Sequence, residues 1–282
     1  MNHLIKSYIK FLFHSKNEHG VHSPFVFDLV TKCFYDNTKY PEYKTLKSYR
    51  KSLLENKNTI EVTDFGAGSR VFKSNTRKIA AIAKNAGISP KNAELLFRIV
   101  SYFRPTTILE IGTSLGLATH AIALASKHNS KITSVEGCPE TLKYTSRNFL
   151  NYFTFDKLDN IHFINSEFSA FLKNYKLETE SGNCDWNLIY FDGNHSKKGT
   201  LEYFELLLPT ITNNSVWIFD DIHWSADMEE AWEIIKNHPK VSVTIDTFQW
   251  GIVFFRTEQK KEHFIINPNK TISSHLFERI RF

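Results

Sequence analysis

Three aspartates and a histidine stand where the sequence could most readily build chemistry. Asp192 follows the apolar run LIYF and opens DGNHS; Asp220 and Asp221 follow VWIF and open DDIHW. Short apolar runs bounded by polar residues read as buried strands, so each acid is expected at a strand end. In a parallel sheet both ends open on the same side, and three carboxylates converge. Like charges that close are costly unless a cation or hydrogen-bond donors offset them. A hard divalent ion such as Mg²⁺ suits an all-oxygen set, which makes Asp192, Asp220 and Asp221 the candidate metal ligands. The alternative is structural: Asp220 and Asp221 cap the next helix or bind backbone amides, and Asp192 only orients a bound cofactor. His195, three residues after Asp192, titrates near neutral pH and is the candidate general base. Its alternatives are to cap the helix starting at Ser196 or to bind substrate. His223 is a secondary candidate for a substrate or metal contact. Trp224 and Trp250 either wall a pocket or pack in the core.

Positioning these residues takes a regular scaffold. From residue 105 strands and helices alternate. TILEIG, KITSVEG, NIHFIN, WNLIYFDG and SVWIFDD read as strands. LATHAIALASK, PETLKYTSRNFL, SEFSAFLKNY, SKKGTLEYFELLL and SADMEEAWEIIKN read as the helices after them, and KLETESGNCD as a polar loop. VSVTIDTF and WGIVFFR follow with almost no room between them and are expected to pair antiparallel. The pattern specifies an α/β fold: a doubly wound, mostly parallel, Rossmann-like sheet with a terminal antiparallel hairpin. Before residue 105 the pattern is helical. Ser23-Pro24 and Ser89-Pro90 are helix starts, and TRKIAAIAKNAG has helical spacing that stops at Gly87. The expected organisation is an N-terminal helical extension over 1–104, a ligand-binding domain over 105–257 and a tail over 258–282 of mixed pattern.

In such a sheet a ligand sits outside the C-terminal strand ends, where strand order reverses. Two stretches have the look of its glycine turn. In EIGTSLG, Glu110 ends a strand, Gly112 and Gly116 allow a tight turn through Thr113 and Ser114, and a helix follows. The next strand ends in Glu136, a carboxylate suited to a ribose diol. In VTDFGAGSR, residues 62–70, helical patterns follow and no acid-tipped strand does. Ser114 stands where G-x-G-x-x-G places the glycine that lets the backbone reach a pyrophosphate, which disfavours NAD or FAD. A nucleoside ligand without phosphates, such as S-adenosylmethionine, does not need that approach.

From residue 105 to about 256 these motifs, in this order, resemble the class I S-adenosylmethionine-dependent methyltransferases. EIGTSLG is similar to that family's first motif, SVE to its second and YFDGNH to its fourth. FDGNHSKKG followed by VWIFDDIHW is similar to the small-molecule O-methyltransferases related to catechol O-methyltransferase. The resemblance implies methyl transfer from S-adenosylmethionine to a hydroxyl oxygen of a small molecule. It implies cofactor contacts from Glu110, Gly112, Thr113, Ser114, Gly116, Glu136 and Asp192, and from Asn165, Ser166 and Glu167 beside the adenine. In metal-dependent members an Asp at the place of Asp192 and an Asp-Asn pair at the place of Asp220-Asp221 hold the ion. Here the last residue is Asp, which adds a negative charge. The catechol enzymes carry lysine at the offset of His195, so the role fits while the residue differs. Two other readings stay open. One is the same fold acting on a sugar, lipid or macromolecular acceptor; the other is a nicotinamide-dependent oxidoreductase or non-catalytic binding protein.

Composition bounds these readings. Apolar residues make up 41% and charged residues 23%, ordinary globular usage. Lys plus Arg is 35 against 30 acids, net +5, without a dense basic block, so nucleic acid is not expected as a partner. DGNH in place of a DPPY-like turn points the same way. Cys33, Cys138 and Cys184 form no CxxC pair and read as reduced thiols of a cytoplasmic protein. The N-terminus lacks the continuous apolar stretch of a signal peptide, and no run of about 18 apolar residues suggests a membrane span. It is expected as a helix docked on its own domain, the alternative being an amphipathic helix lying on a membrane. The expected partners are a small-molecule acceptor and, as an open option, a second copy in a homodimer. Asp64 to Arg70 is expected either as a glycine-hinged flap, with Arg70 available to an anionic group, or as a plain turn.

Overall fold

The structure, a computed structural model, describes residues 3–63, 74–179 and 185–269. Its helices are α1 (His3–His14), α2 (Pro24–Leu29), α3 (Glu42–Glu55), α4 (Ile79–Asn85), α5 (Pro90–Phe103), α6 (Leu117–Ala125), α7 (Pro139–Phe149), α8 (Phe155–Leu158), α9 (Phe168–Thr179), α10 (Lys197–Leu207) and α11 (Ala226–Asn237). Its strands are β1 (Thr59–Glu61), β2 (Thr76–Lys78), β3 (Thr107–Ile111), β4 (Lys131–Glu136), β5 (Ile161–Asn165), β6 (Leu188–Phe191), β7 (Val216–Asp220), β8 (Val243–Asp246), β9 (Trp250–Phe254) and β10 (Glu262–Ile265). Asp64 to Arg70, the expected flap, and Cys184 lie outside the described residues.

Eight strands form one sheet in the order β10-β8-β9-β7-β6-β3-β4-β5. Neighbours are parallel except the two pairs that β9 makes, with β7 and with β8. The expected hairpin is therefore present, and it lies against β7 with Asp220 opposite Trp250. Strand order reverses at β3, which sits between β4 and β6. Its C-terminal end and that of β6 flank the crevice such a sheet offers a ligand.

Side chains alternate between two cores, as a sheet covered on both faces requires. Leu188 and Tyr190 of β6 point into one core, shared with Leu29, Leu53, Leu96, Val100 and Ala121. Ile189 and Phe191 point into the other, shared with Leu172, Phe204 and Trp232. The N-terminal segment thus supplies one layer of the sandwich. Truncating Leu53 or Leu96, both fully buried, to alanine should cost about 2–5 kcal/mol. Helix starts follow the sequence signals: Ser23 accepts from the Val26 amide and Ser89 from the Asn92 amide, each followed by proline. α5 ends at Arg104, which takes left-handed backbone (φ 50°) just before Pro105.

Two elements differ from expectation. Thr76–Lys78 pairs with Thr59–Glu61 as a small antiparallel ladder, so the helix read from Thr76 begins at Ile79. The tail contributes β10, parallel to β8, so the sheet takes in residues beyond 257. No helix among the described residues is long and apolar enough to cross a membrane.

Candidate active site

The glycine turn after β3 is held from three sides. Gly112 and Thr113 donate their amides to the Val135 carbonyl of β4, and the Asp192 amide donates to the Ile111 carbonyl. Gly112 sits at φ 104°, and a Cβ there would run into the Asp192 carbonyl oxygen; only glycine allows this approach. Gly116 (φ 71°) opens α6, and a Cβ there would stand 2.6 Å from Thr145 and 2.7 Å from Phe149. Ser114 is also left-handed, at φ 47°.

Glu136 closes the turn. Its carboxylate accepts the Ser114 amide at 2.8 Å and the Cys138 amide at 2.9 Å. Asn165 ties β5 to this corner by donating to the Glu136 and Gly137 carbonyls, each at 2.9 Å. Ser166 beside it is partly exposed and Glu167 exposed. Glu110 sits beneath the turn without exposed surface. It accepts from Thr119 at 2.5 Å and from Ser134, and burial pushes its carboxyl up to about 7. Read from sequence as a cofactor contact, it serves here as the floor of the turn, because its oxygens point into the core.

The carboxylates converge as the strand-end argument requires. One ligand atom from each of Asp192, His195 and Asp220 lies within 4.8 Å of the others. His195 Nε2 is 3.5 Å from Asp192 Oδ1. Asp221, expected among the ligands, stands outside this group. Its left-handed backbone (φ 55°) follows β7, and it accepts the Gln249 amide at 2.6 Å; the same amide reaches Asp220 at 3.0 Å. The helix-cap alternatives for these residues do not hold. Ser196 caps α10 and Ser225 caps α11, so neither His195 nor the Asp220-Asp221 pair acts as a helix cap.

Crowding shows in the acid–base balance. Burial raises Asp192. Burial and the neighbouring Asp192 raise Asp220 to about 8, and burial and Asp220 raise Asp221 to about 6. Burial alone would lower His195, but the hydrogen bond to Asp192 and the charges of Asp221, Asp192 and Asp220 lift it to about 9. Excess negative charge around one imidazole is the state a cation relieves. Two carboxylates and an imidazole form a donor set that a divalent ion accepts.

Sequence reasoning missed Gln249, because nothing local marks it. The antiparallel register of β9 on β7, Asp220 opposite Trp250, is what carries it to the acid pair. Its neighbour Phe248 is held at φ 73°, an outlier for a bulky residue, and is packed by Tyr8, Phe11 and His223. His223 lies outside that three-residue group. Its ring nitrogens meet Glu229 at 2.7 Å and Asp246 at 2.9 Å. Trp250 is buried against Tyr190 and belongs to the core, while Trp224 is exposed.

Residues 109–222, from β3 to just past β7, match a family model described as a methyltransferase domain. The chain carries a methyltransferase domain. Solved structures share its architecture. SAH-bound PaMTH1, a methyltransferase of Podospora anserina, is 14% identical, with 84% of this chain and 97% of that one covered at a TM-score of 0.57. The O-methyltransferase TomG of Streptomyces achromogenes, in complex with SAM, is 14% identical over 61% of this chain and 82% of that one, TM-score 0.52. An O-methyltransferase of Bacillus cereus in complex with SAH is 16% identical over 78% and 92%, TM-score 0.51. At these identities the likeness is one of fold. No protein of curated function matches the methyltransferase by sequence.

Proposed function

We propose that this methyltransferase transfers a methyl group from S-adenosylmethionine to a hydroxyl oxygen of a small molecule, with a divalent cation held by Asp192, His195 and Asp220. The observation that carries it is the cluster itself: three ligand atoms within 4.8 Å beside the turn where Gly112 touches the Asp192 backbone. The likeness to SAM- and SAH-bound O-methyltransferases supports the donor and the acceptor atom.

S-adenosylmethionine supplies a methyl on a sulfonium, already a good leaving group. What the chain must add is position and a path for the acceptor proton. In this reading Gly112 to Gly116 form the cradle, the Glu136 carboxylate takes the ribose diol, and Ser166 and Glu167 are assigned to the adenine edge. A cation on Asp192, His195 and Asp220 would lower the pKa of the acceptor hydroxyl and orient it. Gln249 holds Asp220 and Asp221 in place with one amide.

A second reading rests on the 3.5 Å Asp192–His195 pair: a metal-free dyad in which Asp192 orients His195, and His195 takes the proton. In either reading His195 must be neutral to act, and the three carboxylates around it lift it to about 9. A bound cation offsets those charges and lets the ring shed its proton, which the metal-free dyad lacks. EDTA treatment on an acceptor found by screening phenols, glycosides and lipids decides between them. The cation reading expects activity lost with EDTA and restored by Mg²⁺, and Asp192→Asn lowering kcat/KM by about a hundredfold to ten-thousandfold. Full activity in EDTA removes the metal from the account.

A further inference from the structure

The amino-terminal helix leaves one face without a partner. α1 docks through buried Ser7 and Phe11, and Tyr8 and Phe11 pack on Phe248 with ring centroids 4.8 and 5.5 Å away. Ile5, Ile9 and Phe13 recur every fourth residue and so share a stripe. They are 51%, 40% and 77% exposed. Lys6 and Lys10, one position on from Ile5 and Ile9, flank that stripe about 100° around the helix. Both are exposed, neither makes an ion pair among the described residues, and α1 contains no Asp or Glu.

Charge decides the occupant. A second copy meeting this stripe across a two-fold axis would bring two lysine rows together, neither lysine being held in an ion pair. An anionic lipid surface is complementary in both respects: headgroups take the lysines, and the acyl boundary takes Ile5, Ile9 and Phe13. We propose that the outer face of α1 is a docking surface for an anionic membrane. The inner face stays on Phe248, next to Gln249, so the docked helix lies one residue from the contacts of the acid pair. Binding is peripheral and reversible, because a stripe of three large apolar residues anchors weakly.

Co-sedimentation of the full chain with vesicles tests this without reading methyl transfer, so its outcome is separate from the enzymatic proposal. Wild type should bind vesicles of phosphatidylcholine mixed with phosphatidylserine, not phosphatidylcholine alone, and binding should weaken as salt rises. Ile9→Glu with Phe13→Glu should lower partitioning by more than about tenfold. Lys6→Glu with Lys10→Glu should do the same, at about fivefold per lysine. All four side chains are exposed, so circular dichroism should match wild type. The proposal is overturned by no binding to the anionic vesicles, by equal binding to neutral ones, or by a glutamate variant that binds as wild type does. It is also overturned if sedimentation velocity without lipid shows a dimer that Ile9→Glu with Phe13→Glu dissociates, since the face is then a self-interface.

Discussion

Two histidines among the described residues are each surrounded by carboxylates, and they differ in one respect. His223 bridges Glu229 and Asp246 at 2.7 and 2.9 Å, with Phe248 stacked on its ring. Both nitrogens must carry protons to make both bonds. The hydrogen bonds to Asp246 and Glu229 accordingly raise it against the lowering effect of burial. His195 has one carboxylate at 3.5 Å and two more nearby. The first cluster borders a cavity but is closed in that both ring nitrogens are answered within the protein, and it ties α11 to β8. The second is open at the strand ends, its charges offset only in part. Buried polar groups that the protein satisfies itself are architecture; those it leaves under-satisfied at a crevice are where a ligand completes the set.

Exchanging the roles is the severest way to break that contrast. His195→Ala should lower kcat/KM by about a hundredfold or more and weaken Mg²⁺ binding. His223→Ala should do the reverse: Glu229 and Asp246 lose their shared cation, at a cost of about 3–5 kcal/mol in urea unfolding, with Mg²⁺ affinity unchanged. If both variants lose activity alone, or both lose stability alone, the open and closed clusters are not distinct.

Glu110 sharpens the same distinction beneath the turn. Its carboxyl is raised from about 4.5 to about 7 by burial, so the protonated form favours the fold. That contribution is complete below pH 4.5 and lost as pH rises through 7. Glu110→Gln stays neutral and should exceed wild type by about 3 kcal/mol at pH 8, the gap closing toward pH 4.5. A constant gap across that range contradicts the assignment.

His120 is a smaller case with the opposite sign. It stacks on Tyr49 with ring centroids 4.2 Å apart, and burial lowers it from 6.5 to about 3. Its stabilising contribution is complete above pH 6.5 and lost as pH falls toward 3. His120→Phe should remove that loss, worth about 2 kcal/mol at pH 5. Thermal melts at pH 5 and pH 8 check it, and equal shifts at both would count against it.

The scaffold was legible wherever burial writes a pattern. β3 to β7 are short apolar runs bounded by glycine or acid, and their tips carry Glu110, Glu136, Asp192 and Asp220, so much of the site follows from strand ends alone. β10 hides because EHFI is a half-buried edge strand without a continuous apolar run. β1 and β2 are three residues each, too short for a period. Gln249 and the Asp246 partner of His223 need pairings across 28 and 23 residues, information held in register rather than in local spacing. Asp221 shows the converse: adjacency to Asp220 in sequence suggested a shared role, and left-handed backbone with a hydrogen bond from Gln249 gives it a separate one.

The most direct test is calorimetric titration of the full chain with S-adenosylmethionine and, separately, with NAD. The account predicts that S-adenosylmethionine binds the wild type, that NAD does not, and that Gly112→Ala, whose Cβ would collide with the Asp192 carbonyl, loses the S-adenosylmethionine signal. Binding of NAD without S-adenosylmethionine would contradict it.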